Sequence, residues 1–282
     1  MSSSAPVAVY AATHRTRLKW HRARMRSGDA PFTASRITEG MAAGASVEID
    51  LVITADRHMA VLHDRNIEGA TTGVGTIAGS PATYLRSLFL RDNDGRPIDE
   101  HVLLLEDLTD LLTEHPVAAD AVLQLDFKET AADLDDAAIS SFAAAVTPFA
   151  RHALLSCGDA RAVTLLTDAV PGLRVGYDPC HNGAVERVLR WRTYRRFISD
   201  AVAASPRAEI VYLDKRLVLT ADARGVDLIE GFHRAGREVD VYTFTDADDP
   251  GIDRVIALHA DQITTDDPAG VAGSARFDPP LG

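Results

Sequence analysis

Cysteine is nearly absent from this chain. Cys157 and Cys180 are the only two in 282 residues, too few for a disulfide framework and without the spacing of a zinc site. Both read as free thiols near strand ends. Positive charge is also scarce: 29 Lys and Arg face 41 Asp and Glu, and the formal net charge is -12. Nothing in such a polyanion repays the repulsion of a nucleic-acid backbone, which excludes nucleic acid as a partner. No uncharged apolar run reaches the roughly 18 residues of a membrane span, and residues 1–10 lack the basic start and long apolar stretch of a secretory signal. No stable membrane insertion is expected, and the chain reads as soluble and cytoplasmic. A glycine-rich phosphate fingerprint is missing after the first strand, which argues against a doubly wound open sheet.

What the chain does have is apolar material, 46% of its residues, alongside 25% charged, enough for a large buried core. Short β-rich runs occur at 7–11, 47–52, 122–127, 153–156, 173–177, 210–213, 239–243 and 261–264. Amphipathic or alanine-rich stretches fill most of the gaps. Several open on Asp, Ser or Thr where an N-cap belongs, and Gly44 and Gly236 follow two of them as C-caps would. Strands alternating with helices imply parallel pairing through right-handed crossovers, and eight such units fit a (β/α)8 TIM barrel. One domain is expected over residues 1–282. Its ends, 1–6 and 270–282, read as soft, and the glycine-rich segment 65–99 reads as a small cap inserted after the second strand.

Barrel chemistry is built at the C-terminal ends of strands and in the loops that follow. By that rule His14 and Arg15 come directly after the first run. Glu48 and Asp50 sit late in the second and Asp126 and Lys128 late in the third. Side chains two apart on a strand share a face, so Glu48 joins Asp50 and Asp126 joins Lys128. Carboxylates gathered in a half-dry mouth raise one another's pKa unless a cation neutralises them. All-oxygen ligation favours Mg2+ or Ca2+ over zinc. His63, in a segment ending His63-Asp64, pairs with His14 as acid and base, because phosphodiester cleavage needs one group to take a proton and another to return one. Arg15 and Lys128 supply charge to the phosphate oxygens. His21 lies in a basic stretch with Arg17, Lys19, Arg22 and Arg24 and reads as part of a solvated loop. Trp20, Trp191, Tyr177 and Tyr242 read as packing or as pocket walls.

Taken together, His14-Arg15, Glu48-Ile49-Asp50 and His63-Asp64 resemble the His-Arg, Glu-x-Asp and His-Asp pattern of the glycerophosphodiester phosphodiesterase family. Thr71-Thr72-Gly73, Leu105-Glu106-Asp107, Leu125-Asp126-Phe127-Lys128, residues 239–245 and residues 263–268 are similar to further segments of that family. The resemblance implies a TIM barrel with a small insertion after the second strand. It implies catalytic histidines at His14 and His63, and Mg2+ or Ca2+ held by Glu48, Asp50 and Asp126. It also implies a small-molecule phosphodiester as substrate, attacked first by its own neighbouring hydroxyl. Three departures stand out: His14-Arg15-Thr16 lacks the family's glycine and leads into a longer, more basic loop, Ala30-Pro31-Phe32-Thr33 replaces Pro-Glu-Asn-Thr, and Asp126 replaces a glutamate. Two other readings keep the barrel. One is a phospholipase D-like or C-like relative that stops at a cyclic phosphate, and the other is a non-catalytic barrel that binds a phosphorylated metabolite. An oligomer is compatible with the sequence.

Overall fold

The computed structural model describes residues 5–277. The termini at 1–4 and 278–282 lie outside the described residues, as do those parts of the ends read as soft. Of the remainder, 268–272 is helical. The strands in chain order are β1 (Ala8–Ala11), β2 (His14–Trp20), β3 (Ser46–Ile53), β4 (Met59–Val61), β5 (Phe89–Arg91), β6 (Pro97–His101), β7 (Val122–Phe127), β8 (Ala153–Cys157), β9 (Arg174–Tyr177), β10 (Ile210–Asp214), β11 (Glu238–Phe244) and β12 (Gln262–Thr265). Eight of these, β2, β3 and β7 to β12, run parallel in the order β2-β12-β11-β10-β9-β8-β7-β3, and a β2–β3 pairing closes the ring. Helices lie between successive strands. This is the TIM barrel that the alternation of strands and helices predicts.

The first stave is where the sequence reading is corrected. The run at 7–11 is not a barrel strand: β1 pairs antiparallel with β2, from Ala8 opposite Arg17 to Ala11 opposite His14. The stave is β2 itself, whose sequence HRTRLKW looks like a basic loop because apolar residues mark only one of its faces. Leu18 and Trp20 are buried against the outer helices. The alternate residues point into the barrel, where Lys19 is 1% exposed and its Nζ lies 2.6 Å from Asp240 Oδ2. Asp240 also accepts from Gln262 Nε2 at 2.6 Å and Thr264 Oγ1 at 2.7 Å, and the Lys19 ammonium sits 4.2 Å from the centre of the Tyr212 ring. A buried charge survives only when so paired and hydrogen-bonded.

Local signals set the remaining geometry. Thr33 caps the helix Ala34–Ala43 by accepting from Arg36 N–H, and Gly44 ends it at φ +80°. The left-handed backbone at Gly44 favours glycine, and a Cβ there would also have to displace the Asp120 carboxylate, 2.5 Å away. After β3 the chain turns back through β4, antiparallel to it. It then forms a β5–β6 hairpin, whose neighbourhood buries Ile67, Ile77, Leu85, Leu88 and Leu90 in the same apolar cluster as Val47, Ile49 and Leu51 of β3. The insertion leans on the first loop: Glu100 Oε2 accepts from Ala34 N–H, and Asn93 Nδ2 donates to Ser27 O.

Candidate active site

Parallel register brings the acidic residues together. In the β3–β7 pair Glu48 stands opposite Gln124 and Asp50 opposite Asp126. Oxygens of Glu48, Asp50 and Asp126 all lie within 4.8 Å of one another. Glu48 and Asp50 are buried, at 4% and 0% exposure. Glu48 accepts the Arg22 backbone N–H at 2.7 Å. Asp50 faces Lys128 Nζ at 2.7 Å and Arg22 Nε at 3.3 Å, while Lys128 also contacts Asp126. Ser156, beside Asp126 on β8, donates to it at 2.6 Å.

The electrostatics follow from this crowding. Burial and the Asp50 charge push the Glu48 carboxyl well above its usual range, with Lys128 opposing. Burial works on Asp50 in the same sense, but Lys128 and Arg22 outweigh it and hold Asp50 low. The Lys128 ammonium is raised well above its ordinary value despite burial, by Asp126, Asp50 and Glu48. Both oxygens of Asp50 are buried, one facing Lys128 and the other Arg22. Three carboxylates whose oxygens converge within 4.8 Å suit a hard divalent cation.

Sequence reasoning placed the first histidine at the wrong end. His14 begins β2, at the N-terminal end of the barrel, where its Nε2–H donates to Ala260 O at 2.9 Å and its ring stacks on His259 at 4.8 Å. Arg15 lines a separate cavity there with Arg17, Arg174 and Glu238. At about 3.3 Å per residue, one strand length of about 23 Å separates His14 from the mouth. Residue 21 occupies the position expected of it. Arg15, Arg17, Lys19 and His21 alternate along one face, and the last of them emerges at the C-terminal end.

Directly after β2, the turn His21–Ala23 holds Arg22 at φ +54° and Ala23 at φ +60°. This conformation points the Arg22 N–H at Glu48. His21 Nδ1 lies 2.7 Å from Asp266 Oδ1, which also accepts from Arg24 Nη1 at 3.0 Å. Burial lowers the His21 pKa, the Asp266 contact opposing. His63 is where the sequence reading puts it, in the mouth, with Nδ1 2.7 Å from Asp64 Oδ1.

A cavity of about 250 Å3 opens between these groups, lined by His21, Arg22, Glu48, His63, Asp126 and Lys128 on one side and by Asp178, His181, Tyr242, Thr243 and Thr264 on the other. Of the far-side residues, Tyr242 is read from sequence as a pocket wall; Asp178, His181, Thr243 and Thr264, together with His21, Arg22 and Asp266, are not among the site residues the sequence marks. For His21 the signal was present, in the alternation of charged with apolar residues along β2; for Asp178 and His181 no sequence pattern marks them. Trp20 is fully buried and Trp191 is 66% exposed. Tyr242 lines the cavity, and both cysteines are free thiols.

A parallel barrel with acidic residues, cations and imidazoles at its C-terminal mouth defines an enzyme that acts on an anionic ester. The glycerophosphoryl diester phosphodiesterase family model matches residues 27–270, and the chain belongs to that family, a phosphoric diester hydrolase. Solved structures with the same fold include a candidate glycerophosphoryl diester phosphodiesterase of Agrobacterium tumefaciens at 20% identity and TM-score 0.68, over 91% of this chain and 96% of that one. A glycerophosphodiester phosphodiesterase of the same organism aligns at 20% identity and TM-score 0.63, over 92% and 100%. A phosphodiesterase of Oleispira antarctica, in complex with the product sn-glycerol-3-phosphate, aligns at 16% identity and TM-score 0.62, over 90% and 94%. Comparison with curated protein sequences gives no match. Among the described residues, no helix is long and apolar enough to cross a membrane.

Proposed function

We propose that the protein hydrolyses glycerophosphodiesters to an alcohol and a phosphomonoester, with a divalent cation held by Glu48, Asp50 and Asp126 and with His21 and His63 as the proton-transfer pair. One observation carries this reading: Glu48 and Asp126, two cationic side chains and two imidazoles, each tethered through Nδ1 to an aspartate, line one cavity, with an oxygen of the buried Asp50 within 4.8 Å of the other two carboxylates. The family's pattern is then His21-Arg22-Ala23, Glu48-Ile49-Asp50 and His63-Asp64, and the long basic loop inferred from His14 disappears. With it goes the feature that keeps a phospholipase D-like or C-like relative as an alternative. The product held by the Oleispira relative is of the kind this reaction would release.

A carboxylate oxygen can only accept, so each histidine donates Nδ1–H to its aspartate, and Nε2 is left to exchange a proton with substrate. For His21, kept toward its neutral form by burial, that atom suits the base that activates the attacking hydroxyl. His63, more exposed and on the insertion side, returns a proton to the leaving oxygen, and water then opens the resulting cyclic phosphate to the phosphomonoester. Arg22 and Lys128 already lie against the carboxylates and would turn to the non-bridging oxygens. A bound Mg2+ or Ca2+ would supply further positive charge to the phosphate. The test is phosphorus NMR of glycerophosphodiesters incubated with the protein and Mg2+ or Ca2+. A phosphomonoester should form and chelation should stop it. Turnover that survives both chelation and His21→Ala would refute the reading.

A further inference from the structure

The barrel order places β9 four strands from β2 in either direction, so the loop after β9 faces His21 across the mouth. That loop carries His181, on the far side of the cavity from Lys128 and the carboxylate trio. Its imidazole is held in two ways. Nε2 lies 2.8 Å from Asp178 Oδ2, and that carboxylate is itself only 11% exposed and pinned by the Cys180 N–H at 2.7 Å. The ring also fills the space above Gly158, where a Cβ would come within 2.4 Å of its Cγ and Cδ2. A side chain that is 46% exposed yet fixed at one nitrogen and one face presents its remaining edge to whatever enters. If the phosphate sits over the trio on β3 and β7, the alcohol arm of the diester must extend toward this side.

We propose that His181 contacts substrate and sets specificity, presenting its second ring N–H to an acceptor oxygen on the alcohol arm; this rests on the function proposed above. With Nε2–H committed to Asp178, Nδ1 is the free nitrogen, and protonation makes it a donor. The Asp178 contact raises the ring's pKa against the effect of burial, with Asp126 assisting and Lys128 opposing. In its protonated form the ring favours an arm that ends in hydroxyl or carboxylate oxygens and disfavours a quaternary ammonium.

The experiment measures kcat and KM for glycerophosphoglycerol and glycerophosphocholine in wild type, His181→Ala, Gly158→Ala and the double variant. Loss of one charge-assisted hydrogen bond should raise KM for glycerophosphoglycerol roughly tenfold, leave kcat within about threefold, and change the choline diester by less than about threefold. Gly158→Ala, which displaces the ring, should give the same pattern and add nothing to His181→Ala. If His181→Ala folds poorly, His181→Gln is read in its place. A wild type inert toward both diesters overturns the proposed function and this assignment with it. An active wild type whose variants lose both diesters equally, or neither, or whose two substitutions add, overturns the assignment of His181 alone.

Discussion

His21 and His14 have the same side chain and sit seven residues apart, and the fold gives them unrelated surroundings. Replacing His21 with Ala should lower kcat/KM by about 10^2 to 10^4, whereas His14→Ala, remote from the mouth, should leave it within about threefold. Steady-state assays of the two variants decide the matter, and equal losses would contradict the geometry. The acidic limb of the pH profile carries a second expectation. Burial lowers the folded-state pKa of His21, so the neutral base persists below the usual value near 6.5, and activity should fall only as pH drops beneath that point. Asp266 opposes the lowering, so Asp266→Asn should move the limb to still lower pH. A third expectation concerns Ala23, held at φ +60°, where an L side chain costs about 1–2 kcal/mol. Ala23→Gly relieves that cost but gives the unfolded chain more freedom, so a small rise in Tm is expected, measurable by calorimetry.

At the scale of elements, the sequence made seven of the eight staves legible because their apolar runs face helices on one side and a crowded interior on the other. The eighth, β2, was not, because its inward face carries Arg15, Arg17, Lys19 and His21 and so has the composition of a loop. Glu48, Asp50, Asp126, Lys128 and His63 could be placed from strand periodicity and motif order. His21 and Arg22 required knowing which run was the stave, and Asp178 and His181 depend on a loop whose path no local pattern dictates. The same inward face carries a stability prediction. Lys19→Met strands Asp240 in a dry interior with only Gln262 and Thr264 as donors, and should cost about 3–5 kcal/mol. Urea unfolding would show this, and Lys19→Met combined with Asp240→Leu should cost less than Lys19→Met alone.

For the whole molecule, two sets of carboxylates pull stability in opposite directions with pH. Asp56, Asp133, Asp249 and Asp266 have lowered folded-state values, so their contribution is complete above the unfolded value near 3.9 and is lost as pH falls through the lower folded values. Glu48, Glu129 and Glu238 are raised, each chiefly by burial. Their ionisation therefore penalises the fold as pH rises through those raised values, and protonation relieves the penalty in mild acid. Mg2+ or Ca2+ bound at the trio should remove the Glu48 part, so the ion should raise Tm more at pH 7 than at pH 5. Scanning calorimetry with and without the ion measures both. A pH-independent increment would mean that the ion binds elsewhere.

The closing seam of the ring is narrow. β2 pairs with β3 only at Lys19–Ser46 and Trp20–Val47, and below that point the edge of β2 is taken up by β1 and by Val7 O, which accepts the Leu18 N–H. Arg17 spans the gap to the carbonyls of Gly44 and Asp120. The opening residues therefore act as a wedge in the cylinder wall. A fusion joined directly at residue 7 or a deletion through residue 11 should loosen the joint, and amide-proton exchange should rise first at Arg17 and Leu18, well before the mouth is disturbed.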